Sequence, residues 1–155
     1  MKVFVLMVAL LTATAEVQAA NVPDFSGRWS FDAGKSQNIA SMAGAAITST
    51  VAQTSATLTV DNHSIFGGRT IDDHTVYDLT GAPAQNASPM SGTGMTLSRW
   101  QSGTLVTEWD SAGAVPGATT KRFETRTLSP DGQTMFIESE RAGRPAIVMA
   151  FDRVQ

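Results

Sequence analysis

Residues 24–36, DFSGRWSFDAGKS, place Phe25, Gly27, Trp29 and Phe31 on every second position. A period of two belongs to an extended strand, whose successive side chains point to opposite faces. One face of this strand is therefore aromatic, with a glycine set between the rings. An indole on a strand that can bend at Gly27 suits the end of a small barrel, where it fills the opening. The stretch predicts that Trp29 stoppers one end of a closed antiparallel wall, as structure and not as a site.

Upstream lies MKVFVLMVALLTATAEVQAA, residues 1–20. Lys2, the apolar run Val3–Leu11 and a small-residue exit form the three parts of a secretory signal peptide, with cleavage expected near Ala19 or Ala20. Polar Thr12, Thr14 and Glu16 cut the run short of the roughly 20 apolar residues a membrane helix requires. The expected product is one domain, residues 21–155, secreted or periplasmic, with no integral membrane span after signal cleavage. The chain has no cysteine, which excludes a disulfide scaffold, a thiolate metal site and a cysteine-linked lipid. A net charge of −3 with scattered basic residues carries no nucleic-acid footprint and no polybasic membrane patch.

From residue 46 onward the chain is rich in Thr, Val, Ile and aromatics, arranged in short alternating runs separated by turn signals. That pattern reads as all-β. QSGTL (101–105), SPDGQT (129–134) and ERAGRPA (140–146) each set a glycine where a tight hairpin needs it. Strands are expected near 25–32, 47–53, 56–61, 70–80, 95–101, 104–110, 119–128, 133–140 and 146–153. Ala-rich 41–47 reads as a short helix or a loop, and GAPAQNASPMSGTG, residues 81–94, as a long loop that is either a binding loop or a surface insertion. Eight or nine sequential strands fit an up-and-down barrel or a sandwich. The barrel is favoured because closing the meander removes exposed sheet edges.

Four short motifs then fall in order along the chain: DFSGRW at 24–29, GKS at 34–36, TLSPDGQTM at 127–135 and FDRV at 151–154. In this the chain resembles the lipocalins and their calycin relatives, and more closely a group of small exported bacterial lipocalin-like proteins. The resemblance implies an antiparallel barrel and export rather than a particular activity. It also implies that an arginine of a late strand, here Arg153, covers Trp29.

Candidate site residues follow from the alternation. Along 119–128 Leu128 shares a face with Arg126, Glu124 and Arg122, while Phe123 shares the other with Thr125 and Thr127. Either Glu124 and Arg126 lie inside the barrel, or Phe123 does and the charges form a solvated face. IDDHTVYD, residues 71–78, is the densest group of titratable side chains, with His74 on one face and Asp73 and Tyr77 on the other. His63 and His74 lack His-X-His or His-Glu-X-X-His spacing, nothing beside His63 itself calls for haem, and no nucleophile motif occurs, so the pattern calls for no metal and no cofactor.

Two uses of one cavity are open, together with a third in which the barrel is solid and acts as an envelope or protein-interaction module. In the first, a small, largely hydrophobic or aromatic ligand, anionic or phenolic at one end, is lined by Tyr77, Trp100, Trp109, Glu124, Met135 and Arg126, with the 81–94 loop near the mouth. In the second, a cofactor-free lyase, isomerase or hydratase uses His74 or Asp73 as base and Tyr77 or Arg126 against developing negative charge.

Overall fold

Ten antiparallel strands each pair with their neighbour in sequence, save across one seam, and the first pairs with the last. The computed structural model describes residues 22–88, 92–112 and 116–155. Its strands are β1 (Gly27–Gln37), β2 (Ala46–Gln53), β3 (Thr57–Phe66), β4 (Arg69–Asp78), β5 (Pro83–Ser88), β6 (Gly92–Gln101), β7 (Thr104–Ala112), β8 (Thr119–Leu128), β9 (Thr134–Arg141) and β10 (Ile147–Val154). The hydrogen-bonded order is β4-β3-β2-β1-β10-β9-β8-β7-β6-β5. Pairing of Trp29 with Arg153 and of Phe31 with Phe151 joins the two ends of the chain. This is a nearly closed, all-β up-and-down barrel.

The strand count corrects the expectation of eight or nine. The extra strand, β5, comes from the stretch read as an irregular loop, because Pro83, Gln85 and Asn86 are poor strand formers. Its ladder runs on one side only, to β6, and Pro83 stands at its first residue, where a missing N–H is tolerated. Ala-rich 41–47 forms turns and then enters β2, and no helix occurs among the described residues. The signal-peptide stretch lies outside the described residues.

β4 and β5 face each other without a ladder, and a side chain does the work of one. Asn86 Oδ1 accepts from the Val76 amide at 2.9 Å, and Asn86 Nδ2 donates to the Val76 carbonyl at 2.9 Å and to Thr96 Oγ1 at 2.9 Å. A buried carboxamide has the same donor and acceptor as a peptide group, so one residue satisfies the edge there.

Connections after even-numbered strands gather at one end of the barrel, together with the start of β1 and the finish of β10. That end is sealed. Phe25, Trp29, Leu58 and Met135 are fully buried there, and Phe25 stacks on Trp100 with ring centroids 6.0 Å apart. The Trp29 indole donates to the Phe25 carbonyl at 2.9 Å. Arg153 lies 4.2 Å from the Trp29 ring centroid and donates to the carbonyls of Ser26 (2.7 Å) and Gly132 (3.1 Å). The cover implied for Trp29 is thus present. Gly27 is required twice over: its φ is +132°, and a Cβ would stand 2.7 Å from Arg153 Nη1. At the opposite end inward-facing Phe31, Ile47 and Met149 are only partly buried.

Trp29→Ala is expected to destabilise the protein by about 3–5 kcal/mol. Chemical denaturation reads it as a lowered midpoint, and a loss below about 1 kcal/mol would mean the indole is not the stopper.

Candidate functional site

Closure of the wall decides which face of β8 looks inward. Arg126 is 3% exposed and Glu124 8%, whereas Phe123 is 42% exposed on the outer face. Leu128, on the same face as the charges, packs with the sealed end beside its ladder partner Met135. Once Leu128 joins the stopper, period two carries Arg126, Glu124 and Arg122 up the inside wall.

These three residues form a ladder of charge. Arg126 Nη2 donates to Glu124 Oε1 at 3.2 Å, the Tyr77 hydroxyl donates to the same oxygen at 3.3 Å, and Arg122 Nη2 lies 3.8 Å from Glu124 Oε2. Arg122 also sits 4.5 Å over the Trp109 ring, and Tyr77 meets Trp109 edge-on. Burial, with the Glu124 charge behind it, pushes the Tyr77 phenol far above its usual range. Tyr77 therefore stays protonated and acts as a hydrogen-bond donor.

Unpartnered donors in this interior outnumber the unpartnered acceptor that faces it, Asp73 Oδ1. Arg126 Nη1, Arg122 Nε and Trp109 Nε1 are buried donors with no hydrogen-bond partner. Inward-facing charges on β8 are two guanidinium groups against one carboxylate, and Asp73 of β4 adds a second carboxyl within the influence of Arg122. A buried charge without a full complement of partners is costly.

Other predicted residues divide between two places. Trp100 and Met135 belong to the sealed end rather than to the upper interior. Asp73 faces inward, where desolvation holds its carboxyl above the ordinary aspartate value against the opposing pull of Thr75 and Arg122. His74 lies on the outer wall, so it cannot share the interior with Asp73 and Tyr77. There His74 Nδ1 bonds Asp61 Oδ1 at 2.6 Å and His63 Nδ1 bonds Asp72 Oδ1 at 2.7 Å. The two histidines, distant in sequence, line one outer cleft of about 560 Å³ with Arg28 and Thr50. No group of three or more metal-capable side chains occurs among the described residues. Of residues 81–94, read as a loop near the mouth, 83–88 and 92–94 are strand.

Three further residues were not singled out as site residues from the sequence. Arg122 and Arg141 face the interior near the open end, and Asn86 clips the seam beside a cleft of about 580 Å³. For Arg122 the signal was its spacing from Arg126; for Asn86 there was none, because it depends on which strand lies opposite.

No protein-family model and no curated protein sequence matches the chain. Its fold, by contrast, is shared with many solved structures. They include the REP1-NXSQ fatty acid transporter, at a TM-score of 0.64 and 11% identity over 84% of this chain and 96% of that one. Lipid binding protein 8 of Caenorhabditis elegans gives 0.66 and 13% over 87% and 100%. Fatty-acid-binding protein 1 of Echinococcus granulosus gives 0.63 and 14% over 84% and 98%. The fold is thus the up-and-down barrel of these fatty-acid- and lipid-binding proteins.

Glu124→Gln strips the buried guanidinium of its only carboxylate and is expected to cost about 3–5 kcal/mol in denaturant unfolding. Replacing the pair together, Glu124→Leu with Arg126→Met, should recover most of that loss. Equal costs for the single and the double variant would show that no charge coupling exists.

Proposed function

We propose that this protein binds one small, largely hydrophobic molecule inside the barrel, with an acidic group of the ligand, a carboxylate or phenolate, held at Arg126. The observation that carries this reading is Arg126 Nη1, a donor on a residue 3% exposed that finds no acceptor. Glu124 neutralises part of the interior charge and orients the guanidinium through Nη2, leaving Nη1 to the ligand. Tyr77, fixed by Glu124, stands beside it with Arg126 5.3 Å from its ring. Phe31, Ile47 and Met149 supply apolar surface toward the open end. Fold neighbours whose names describe fatty-acid and lipid binding support the same class of ligand.

Fluorescence of the three tryptophans offers a direct titration with dodecanoate. Arg126→Met is expected to weaken binding about ten-fold or more, the worth of a hydrogen bond to a charged group, and Tyr77→Phe to weaken it less. Unaltered affinity in Arg126→Met, or no saturable binding to the wild type, overturns the assignment.

The reading includes export. Residues 1–20 support it, and the protein is then a secreted or periplasmic carrier. Sequencing the N-terminus of the mature product should begin at Ala20 or Asn21; a product retaining Lys2 would refute it.

A further inference from the structure

Above Arg126 the barrel carries a second level of donors that the first anion does not use. In the strand register Trp109 of β7 lies opposite Arg122 of β8, and Arg122 lies opposite Arg141 of β9. All three are on the inward face, two positions above the Thr107, Glu124 and Ser139 row. Every side chain in the upper row donates hydrogen bonds and none accepts.

Like charges set directly opposite each other across a ladder are destabilising, and the carboxyl groups that face this pair, Glu124 and Asp73, relieve it only in part. Glu124 already accepts from Arg126 and Tyr77, and Arg122 Nη2 reaches it only at 3.8 Å. Arg141 makes no ion pair among the described residues. The carboxylates of β9, Glu138 and Glu140, project from its outer face beside Thr125 and Phe123. Arg144 follows in the turn after β9 and adds a third guanidinium at the mouth; desolvation, then Arg122 and Arg144, hold the Arg141 pKa below its usual value. Asp73 faces Arg122 from β4 without an ion pair. The Trp109 indole N–H, on a residue 7% exposed, has no acceptor at all.

We propose that the Trp109–Arg122–Arg141 row is a second anion subsite, and that the preferred ligand is a bis-acid with an acidic group at each end of an apolar chain. This rests on the reading of Arg126 as the inner site. Arg122 turns back toward Glu124, so Arg141 marks the outer level: it stands four residues, about 13 Å, along β9 from Ile137, the ladder partner of Arg126, and an extended chain of roughly ten carbons spans that distance. Ile137 and Met149, level with Arg126, and Ile147 above them provide apolar wall between the two levels.

Dodecanedioate and dodecanoate, titrated by tryptophan fluorescence, separate the possibilities. A cavity with one anion site prefers the monoacid, because its free end is cheaper to bury. With two sites, dodecanedioate is expected to bind about ten-fold or more tightly than dodecanoate. Arg141→Gln, at an exposed strand end, should collapse that ratio, whereas Arg99→Gln on the outer wall removes the same charge and should preserve it. If wild-type protein binds dodecanoate as well as dodecanedioate, the second subsite is refuted and the inner one stands. Persistence of the diacid preference in Arg141→Gln also refutes it. Failure of both acids to bind overturns the inner and outer sites together.

Discussion

The structure depends on how Arg153 meets Trp29. A guanidinium from the last strand lies across an indole from the first, and its N–H groups reach carbonyls in two other segments, at Ser26 and Gly132. The contact therefore seals the end of the barrel and pins the β1–β10 pairing that turns an open meander into a wall. Cation–π attraction is strongest where water is excluded, and Trp29 is wholly buried. Gly27 belongs to the same device, since any larger residue would occupy the space that Arg153 Nη1 fills. In a chain with no disulfide the ends must be joined by packing and hydrogen bonds alone.

Sealing one end fixes the character of the other. With Leu128 drawn into the stopper, the rest of its face must line the interior, and that face is charged. The protein holds Glu124 among two arginines and a tyrosine where a core of Leu and Val would have cost less. Small barrels of pure structure fill themselves with apolar side chains. An interior that retains buried polar atoms without partners gives up stability to keep them. The same economy is visible at the seam, where a single Asn86 amide stands in for a ladder between β4 and β5 and leaves most of both edges uncovered.

Much of this was legible in the chain itself. Alternation located nine of the ten strands, because half-buried antiparallel strands advertise their two faces residue by residue. The glycine-centred turns placed the hairpins, and the aromatic face at 25–31 identified the stopper. β5 escaped notice because its pairing is one-sided and its composition is that of a loop. Among the site residues, the sharing of a face by Tyr77 and Asp73, opposite to His74, was readable from period two.

What alternation could not supply was an absolute direction. It says that Arg122, Glu124 and Arg126 share one face and that Phe123 has the other, but inside and outside exist only after closure. Burying charge and exposing Phe123 is the locally unfavourable choice, and it holds because Leu128 and its neighbours complete the sealed end. Partners across strands were hidden for a related reason. Register depends on how far each hairpin slides, so His63 with Asp72, Asn86 with Val76 and Arg122 with Arg141 became neighbours only in the folded wall. The chain by itself determined a β-meander with an aromatic plug; tertiary closure alone decided that its interior would carry charge.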